Sequence, residues 1–123
     1  AHQYQRRGVA FVAINSNDTV AYPADDPTHM REEAEKHHYP FPYLFDETQE
    51  VAHAYYAACT PDFFIFDQNL KCVYRGRFDE STPGNNKPVT GKELSQALEA
   101  ILNKQPVDAD QKVSLGCNIK WKK

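Results

Sequence analysis

Apolar residues come in short blocks separated by polar, proline-rich or glycine-rich stretches, and the spacing within each block predicts an element. Residues 1–7 are polar and compatible with helix, with Gly8 placed to end one. Val9-Ala10-Phe11-Val12-Ala13-Ile14 is a continuous apolar run, which predicts a strand buried on both faces, followed by a loop over residues 15–18. Asp25-Asp26-Pro27 predicts a helix start, with Asp26 as cap and Pro27 at the first helical position. That helix runs to about His38, with basic residues at its end, and its thin apolar face (Met30, Ala34) places it on the surface. Pro40 and Pro42 exclude helix, and Tyr43-Leu44-Phe45 reads as a short strand.

Asp46 with Gln49 reads as a capping box opening a helix to about Tyr56, which packs through Val51 and Tyr55. Residues 62–66 predict a second buried strand, Asp67-Gln68-Asn69 a tight turn, and residues 71–78 the returning strand of a β-hairpin. Residues 81–89 read as loop. Thr90-Gly91-Lys92-Glu93 then reads as a capping box, followed by Leu94, Ala97, Leu98, Ile101 and Leu102 at helical spacing. From Gln105 the chain is an irregular tail closing in Gly116-Cys117-Asn118-Ile119-Lys120-Trp121. The order (α)–β–α–β–α–β–β–α predicts an α/β fold, a mixed sheet with parallel strands from the early crossover and an antiparallel edge from the late hairpin, flanked by helices.

Composition removes several classes of function. With 123 residues the chain is one domain, and 14 Lys+Arg against 17 Asp+Glu leave a charge of −3, without the basic stripe of a nucleic-acid binder. Residues 9–14 fall far short of the roughly 18 apolar residues of a membrane span, so neither nucleic acid nor membrane is expected as a partner. Three cysteines are too few for a disulfide-stapled scaffold. His29, Glu33 and His37 share one helical face with His38 adjacent, but that face offers no cysteine and reads as a solvated, charge-mixed surface, so no metal site is expected. No Gly-rich phosphate cradle or Ser-His-Asp arrangement is present, and no stable cofactor is expected. Cys72 alternates with Tyr74 and is expected to point inward as a structural residue. Arg75 and Arg77 share a strand face and read either as contacts for an acidic partner or as a solvated edge. Residues 15–18 and 79–86 are loops able to shape a groove.

The order of elements, with Thr60-Pro61 just before a buried strand, resembles the thioredoxin superfamily. More closely it resembles the redoxin branch that contains alkyl hydroperoxide reductase and thiol-specific antioxidant proteins. The residues carrying the likeness are GVAFVAIN (8–15), YLFDE (43–47), ACTPDFFIFD (58–67), YRGRFD (74–79), the capping-box helix and the closing GCNIKW (116–121), nearly the whole chain. The resemblance implies a truncated thioredoxin-like domain over residues 1–104 and a docking tail over residues 105–123. The first strand, most of the first helix and the C-x-x-C or peroxidatic cysteine would precede Ala1, since no C-x-x-C stands in these 123 residues. It implies a cytoplasmic thiol–disulfide oxidoreductase or peroxiredoxin-like antioxidant, with a protein disulfide or a peroxide as substrate and a thiol as reductant. An alternative is a catalytically silent thioredoxin-fold module that binds proteins.

The resemblance also assigns roles. Thr60 and Pro61 are the implied substrate-binding pair, with Pro61 in cis and facing the reactive cysteine; the residues alone favour trans, because only about 5–6% of X–Pro bonds are cis. Cys59, two residues before Pro61, reads either as a resolving thiol beside the groove or as a small buried hydrophobe. Cys117 reads as a resolving thiol on a mobile tail or as part of a tail docked through Ile119 and Trp121, and docking is favoured. Of the three thiols Cys59 is expected to be the most reactive when the N-terminal element is absent, through exposure and not activation, with Cys72 shielded by the hairpin.

Overall fold

A computed structural model describes residues 1–82 and 84–123; within the expected loop over residues 81–89, Pro83 lies outside the described residues. The chain divides into two compact units, Ala1–Ala57 with Ile119–Lys123, and Ala58–Asn118.

The first unit carries α1 (His2–Gln5), β1 (Ala13–Asn15), α2 (Pro27–Lys36), β2 (Tyr43–Phe45) and α3 (Glu50–Ala54). Gly8 follows α1 at φ +93°, a conformation only glycine adopts without strain. As expected, β1 and β2 pair in parallel, Ile14 opposite Leu44. Asp26 caps α2 by accepting the His29 N–H at 3.0 Å, with Pro27 at the first position and Met30 as the buried residue of the helix. Phe11, Phe41, Tyr39 and Tyr43 form a chain of ring contacts, 6.5, 5.1 and 5.5 Å between successive centroids.

Two expectations for this unit are corrected. Residues 9–14 are not a strand buried on both faces. The strand begins only at Ala13, and burial alternates: Val9, Phe11 and Ala13 are partly covered, whereas Val12 and Ile14 are 57% and 42% exposed. The alternation shows that the unit covers one face of the run; an all-apolar run carries no sign of which face that is. The helix after Asp46 is also shorter, and it buries Ala52 while Val51 and Tyr55 stay exposed. Its start is not a capping box: Gln49 sits at φ +66° just before the helix and turns its side chain elsewhere. Asp46 serves the helix start, accepting the N–H groups of Val51 (3.3 Å) and Ala52 (3.0 Å), and the Thr48 hydroxyl accepts that of Glu50 at 3.4 Å.

The second unit carries β3 (Cys59–Thr60), β4 (Phe63–Phe66), β5 (Cys72–Gly76), α4 (Lys92–Leu102) and β6 (Cys117–Asn118). The hairpin forms as predicted: β4 and β5 are antiparallel, and the Asp67 carboxylate closes the turn by accepting the N–H groups of Asn69 (2.8 Å) and Lys71 (3.0 Å). The core is Ile65 and Tyr74 with Leu94, Ala97 and Leu98 of α4, the stripe that helical spacing predicted. The capping box at Thr90 does not form. Gly91 precedes α4 at φ +64° with no side-chain cap, and Glu93 pairs with Arg77 instead, Nε to Oε1 at 2.6 Å. A Cβ on Gly91 would meet the Phe78 ring at 2.5 Å, so this approach needs glycine.

Cys72 is corrected as well. Tyr74 is buried, as alternation requires, but Cys72 is exposed. The register runs Ile65↔Tyr74 and then Phe66↔Cys72, so a bulge at Val73 breaks the period of two and turns Cys72 out of the core.

Candidate functional site

The residues assigned by resemblance lie together in the second unit, around the strand that leads into Pro61. The Thr60–Pro61 peptide is cis, as the resemblance implies. The closing segment of the unit runs beside β3: β6 pairs with it antiparallel, Cys59 opposite Asn118 and Thr60 opposite Cys117. Residues directly opposite share a face, and successive residues alternate. Cys59 and Cys117 therefore project from opposite faces of this ladder, one register position apart. All three cysteines are free thiols; Cys117 and Cys72 are exposed and Cys59 is half-buried. The exposure on which the expected reactivity of Cys59 rests is thus reversed, Cys59 being less exposed than the other two thiols.

Pro61 lines a cleft of about 100 Å³. Phe78, Leu115 and Gly116 supply the rest of its apolar wall, and Arg77, Asp79, Ser81 and Thr82 its polar side. Of the loop over residues 79–86, three residues thus reach this cleft. Asp79 organises it. Its carboxylate accepts the Ser81 hydroxyl and N–H and the N–H groups of Thr90 and Gly91, both at 2.7 Å. The Ser81 hydroxyl, with the Gly91 amide next, lowers the Asp79 pKa to about 2, so the carboxylate is ionised at neutral pH.

Arg75 of β5 and Arg77 just after it both have acidic partners within the unit. Arg77 pairs with Glu93 at 2.6 Å, and Arg75 stands 3.7 Å from the buried Asp62 carboxylate and over the Phe64 ring. Their charge is therefore balanced inside the unit. Burial pushes the Tyr74 hydroxyl above its ordinary value, with Glu93 adding to the effect; it stays neutral and donates to the Arg77 carbonyl.

The first unit holds a separate polar cluster, which includes Ser16 of the loop over residues 15–18. Ser16 donates its hydroxyl to Asp46 at 2.7 Å. The buried Gln49 amide donates to the carbonyls of Ser16 (2.7 Å) and Lys120 (3.0 Å) and accepts the Lys122 N–H at 3.1 Å. Burial raises the Asp46 carboxyl, but the bonds from Ser16, Ala52 and Val51 outweigh it and hold the group below the usual range. Trp121 stacks on His53 with ring centroids 4.4 Å apart, and Ile119 is buried.

Among the described residues no group of three or more His, Cys, Asp or Glu is placed to hold a metal. His29 bonds Asp26 through Nδ1 at 2.7 Å, and His37 stacks on Tyr39. Nor is any helix among them long and apolar enough to cross a membrane. Sequence reasoning did not single out Ser114, Gly116 or the Asp79 carboxylate. Gly116, inside GCNIKW, carried a signal in its position next to Cys117. Ser114 carried none, because it bonds Asp62 from 52 positions away. For Asp79 the nearby Ser81 marks only a turn, while Thr90 and Gly91 come from further along the chain.

Two crystal structures resemble the chain closely. One is an uncharacterized conserved protein from Geobacillus kaustophilus, 61% identical, with a TM-score of 0.96 over 99% of this chain and 65% of that one. The other is a hypothetical protein from Sinorhizobium meliloti 1021, 48% identical, with a TM-score of 0.95 over 98% of this chain and 66% of that one. The chain thus spans just under two thirds of the length of each. No curated protein matches it. The family model of AhpC/TSA matches residues 1–75, a stretch that includes β1, β2, Thr60-Pro61 and the hairpin up to Arg75. The chain belongs to the AhpC/TSA family and has a thioredoxin-like α/β fold.

Proposed function

We propose that the chain is the larger part of a thiol-dependent oxidoreductase, a peroxiredoxin-like antioxidant or a thiol–disulfide exchanger. Membership of the AhpC/TSA family carries this reading. The nucleophile is a cysteine thiolate preceding Ala1. Two observations support that placement: the matching structures are about half as long again as this chain, and the apolar side of β1 and β2 with Val12, Ile14 and Leu44 is exposed, where a parallel pair normally has cover. Residues 1–104 then form the redox domain and residues 105–123 its tail, with the buried Ile119 and the Trp121–His53 stack supporting docking.

With a peroxide, the thiolate sulfur attacks the nearer oxygen, the O–O bond breaks, and the leaving oxygen takes a proton as alcohol or water. The sulfenic acid left behind is attacked by a second thiol, Cys59 or Cys117, which expels water and closes a disulfide. With a disulfide substrate the thiolate displaces one sulfur, and the same second thiol resolves the mixed disulfide. An external thiol reductant returns two electrons. Thr60 and Pro61 border the substrate, next to the cleft that Pro61 lines.

A silent protein-binding module is the second reading. One observation favours it: the three cysteines lie on β3, β5 and β6 and none heads a helix, where the dipole would promote thiolate. The two readings separate by assay. The 123-residue chain is expected to give negligible insulin reduction or peroxide consumption, and a form extended upstream in its reading frame is expected to turn over. An inactive extended form would leave the binding module standing. Turnover by the 123 residues alone would move the nucleophile to Cys59.

A further inference from the structure

We propose that residues 111–118 are a strap that closes the backbone edge of β3 and competes, within the chain, with any extended polypeptide ligand at Thr60. This rests on the reading of Thr60 and Pro61 as the ligand-binding pair and deepens it. The short strand Cys59–Thr60 is a ladder edge, and such an edge recruits an extended peptide by adding it as a strand. Here the position is already filled by Cys117 and Asn118.

The strap is fastened unevenly along its length. At its start the Gln111 side chain imitates a strand neighbour for β5, accepting the Arg75 N–H at 3.0 Å and donating to the Val73 carbonyl at 2.9 Å. The Lys112 carbonyl accepts the Arg77 N–H at 3.1 Å. The Ser114 hydroxyl lies 2.7 Å from Asp62 Oδ1 and 3.0 Å from the Gly76 carbonyl. The ladder itself is the weak part. It is two residues long, Thr60, Cys117 and Asn118 are exposed, and the bond from Thr60 Oγ1 to the Cys117 carbonyl is long at 3.4 Å. Such a segment opens locally at small cost while its anchor holds.

Gly116 makes the closure possible. A Cβ there would strike the Thr60 carbonyl, so the strap lies against β3 only because that residue has no side chain. Tethering supplies the selectivity. A segment joined by a short linker acts at an effective concentration of about millimolar, so a free peptide of equal intrinsic affinity is excluded well below that level. A polypeptide ligand gains access to Thr60 by displacing residues 116–118, and the same displacement exposes Cys59.

The test uses the 123-residue chain, its Gly116→Val variant and a labelled peptide of residues 111–118 with serine in place of cysteine. The peptide is expected to bind the variant about tenfold or more tighter than the wild type. Amides of residues 59–60 and 117–118 are expected to exchange about tenfold more slowly in the wild type, with α4 amides exchanging alike in both. Equal peptide affinity for the two chains, or equal exchange, overturns the proposal. Faster α4 exchange would show that the variant has lost its fold. Ser114→Ala, which removes an anchor and leaves Gly116 in place, then takes the comparison under the same criteria. Protection in the wild type with no peptide binding to either chain sinks the ligand reading at Thr60 and the competitor role with it. Neither readout depends on redox turnover, so failure of the oxidoreductase reading is seen separately in the activity assay.

Discussion

At the scale of single residues, accessibility decides the chemistry of the three thiols. Cys117 and Cys72 are exposed while Cys59, on the strand paired with β6, is half-buried. Alkylation with iodoacetamide at neutral pH is expected to label Cys117 and Cys72 ahead of Cys59, read by mass spectrometry of each cysteine peptide. Labelling of Cys59 first would mean that β6 is open in solution. The other residue with a directional consequence is Asp79. Its folded pKa is about 2 against an ordinary 3.8, so ionised Asp79 contributes stability above pH 3.8, and that contribution is lost as pH falls through this range to about 2. In thermal unfolding followed across these pH values, Asp79→Asn should start lower at neutral pH and show a shallower acid decline. An unchanged slope would show that Asp79 does not drive it. Neither feature was visible in the sequence. Cys72 sat where period two points inward, and only the bulge at Val73 reverses it; Asp79 stood in an ordinary loop, and its four donors come from Ser81, Thr90 and Gly91.

At the scale of elements, a local pattern predicts best where the element's own residues supply the interaction. Asp26-Pro27 caps α2 as read, because cap and first turn are adjacent. Leu94, Ala97 and Leu98 of the α4 stripe are likewise buried as read, with Ile101 and Leu102 half-buried. Leu98, 4% exposed, should cost about 3 kcal/mol when cut to alanine, measured by chemical denaturation. Helix α3 is the contrast. Val51 looked like a core position by spacing, yet it is exposed, and Val51→Ala should change stability by no more than about 0.5 kcal/mol. A large loss at Val51 and a small one at Leu98 would contradict this packing. Both capping boxes failed for one physical reason. The Gln49 and Glu93 side chains that would complete them are held by partners outside the local turn: the Ser16 and Lys120 carbonyls for one, Arg77 for the other. Those partners occupy the side chain that reciprocal capping needs.

At the scale of the whole molecule, each unit is completed by a segment remote in sequence. In the first unit residues 119–123 return to α3, and Gln49 is the clamp: it accepts the Lys122 N–H and donates to the Lys120 carbonyl, 71 positions away. Gln49→Ala removes the buried bond to the Ser16 carbonyl and the partner of the Lys122 N–H, while the Lys120 carbonyl keeps the Asp18 N–H. It should cost about 1–3 kcal/mol, with faster exchange of the Lys122 amide. Unchanged exchange there would show that Ile119 and Trp121 hold the tail without it. In the second unit residues 111–118 play the corresponding part along β5 and β3. The sequence by itself determined the succession of α1, β1, α2, β2, α3, β4, β5 and α4, the parallel crossover, the hairpin and its Asp67 turn, the buried positions of α4 and the family likeness around Thr60-Pro61. These follow from period, turn chemistry and neighbouring residues, which are written locally. It did not show β3 or β6, the latter lying in a tail read as irregular. The tertiary structure alone decided which face of residues 9–14 is covered, where the side chains of Gln49 and Glu93 go, that Cys72 faces solvent, and that the tail pairs with β3. A hydrophobic period specifies a face but not what lies against it, and that partner exists only once distant segments have paired.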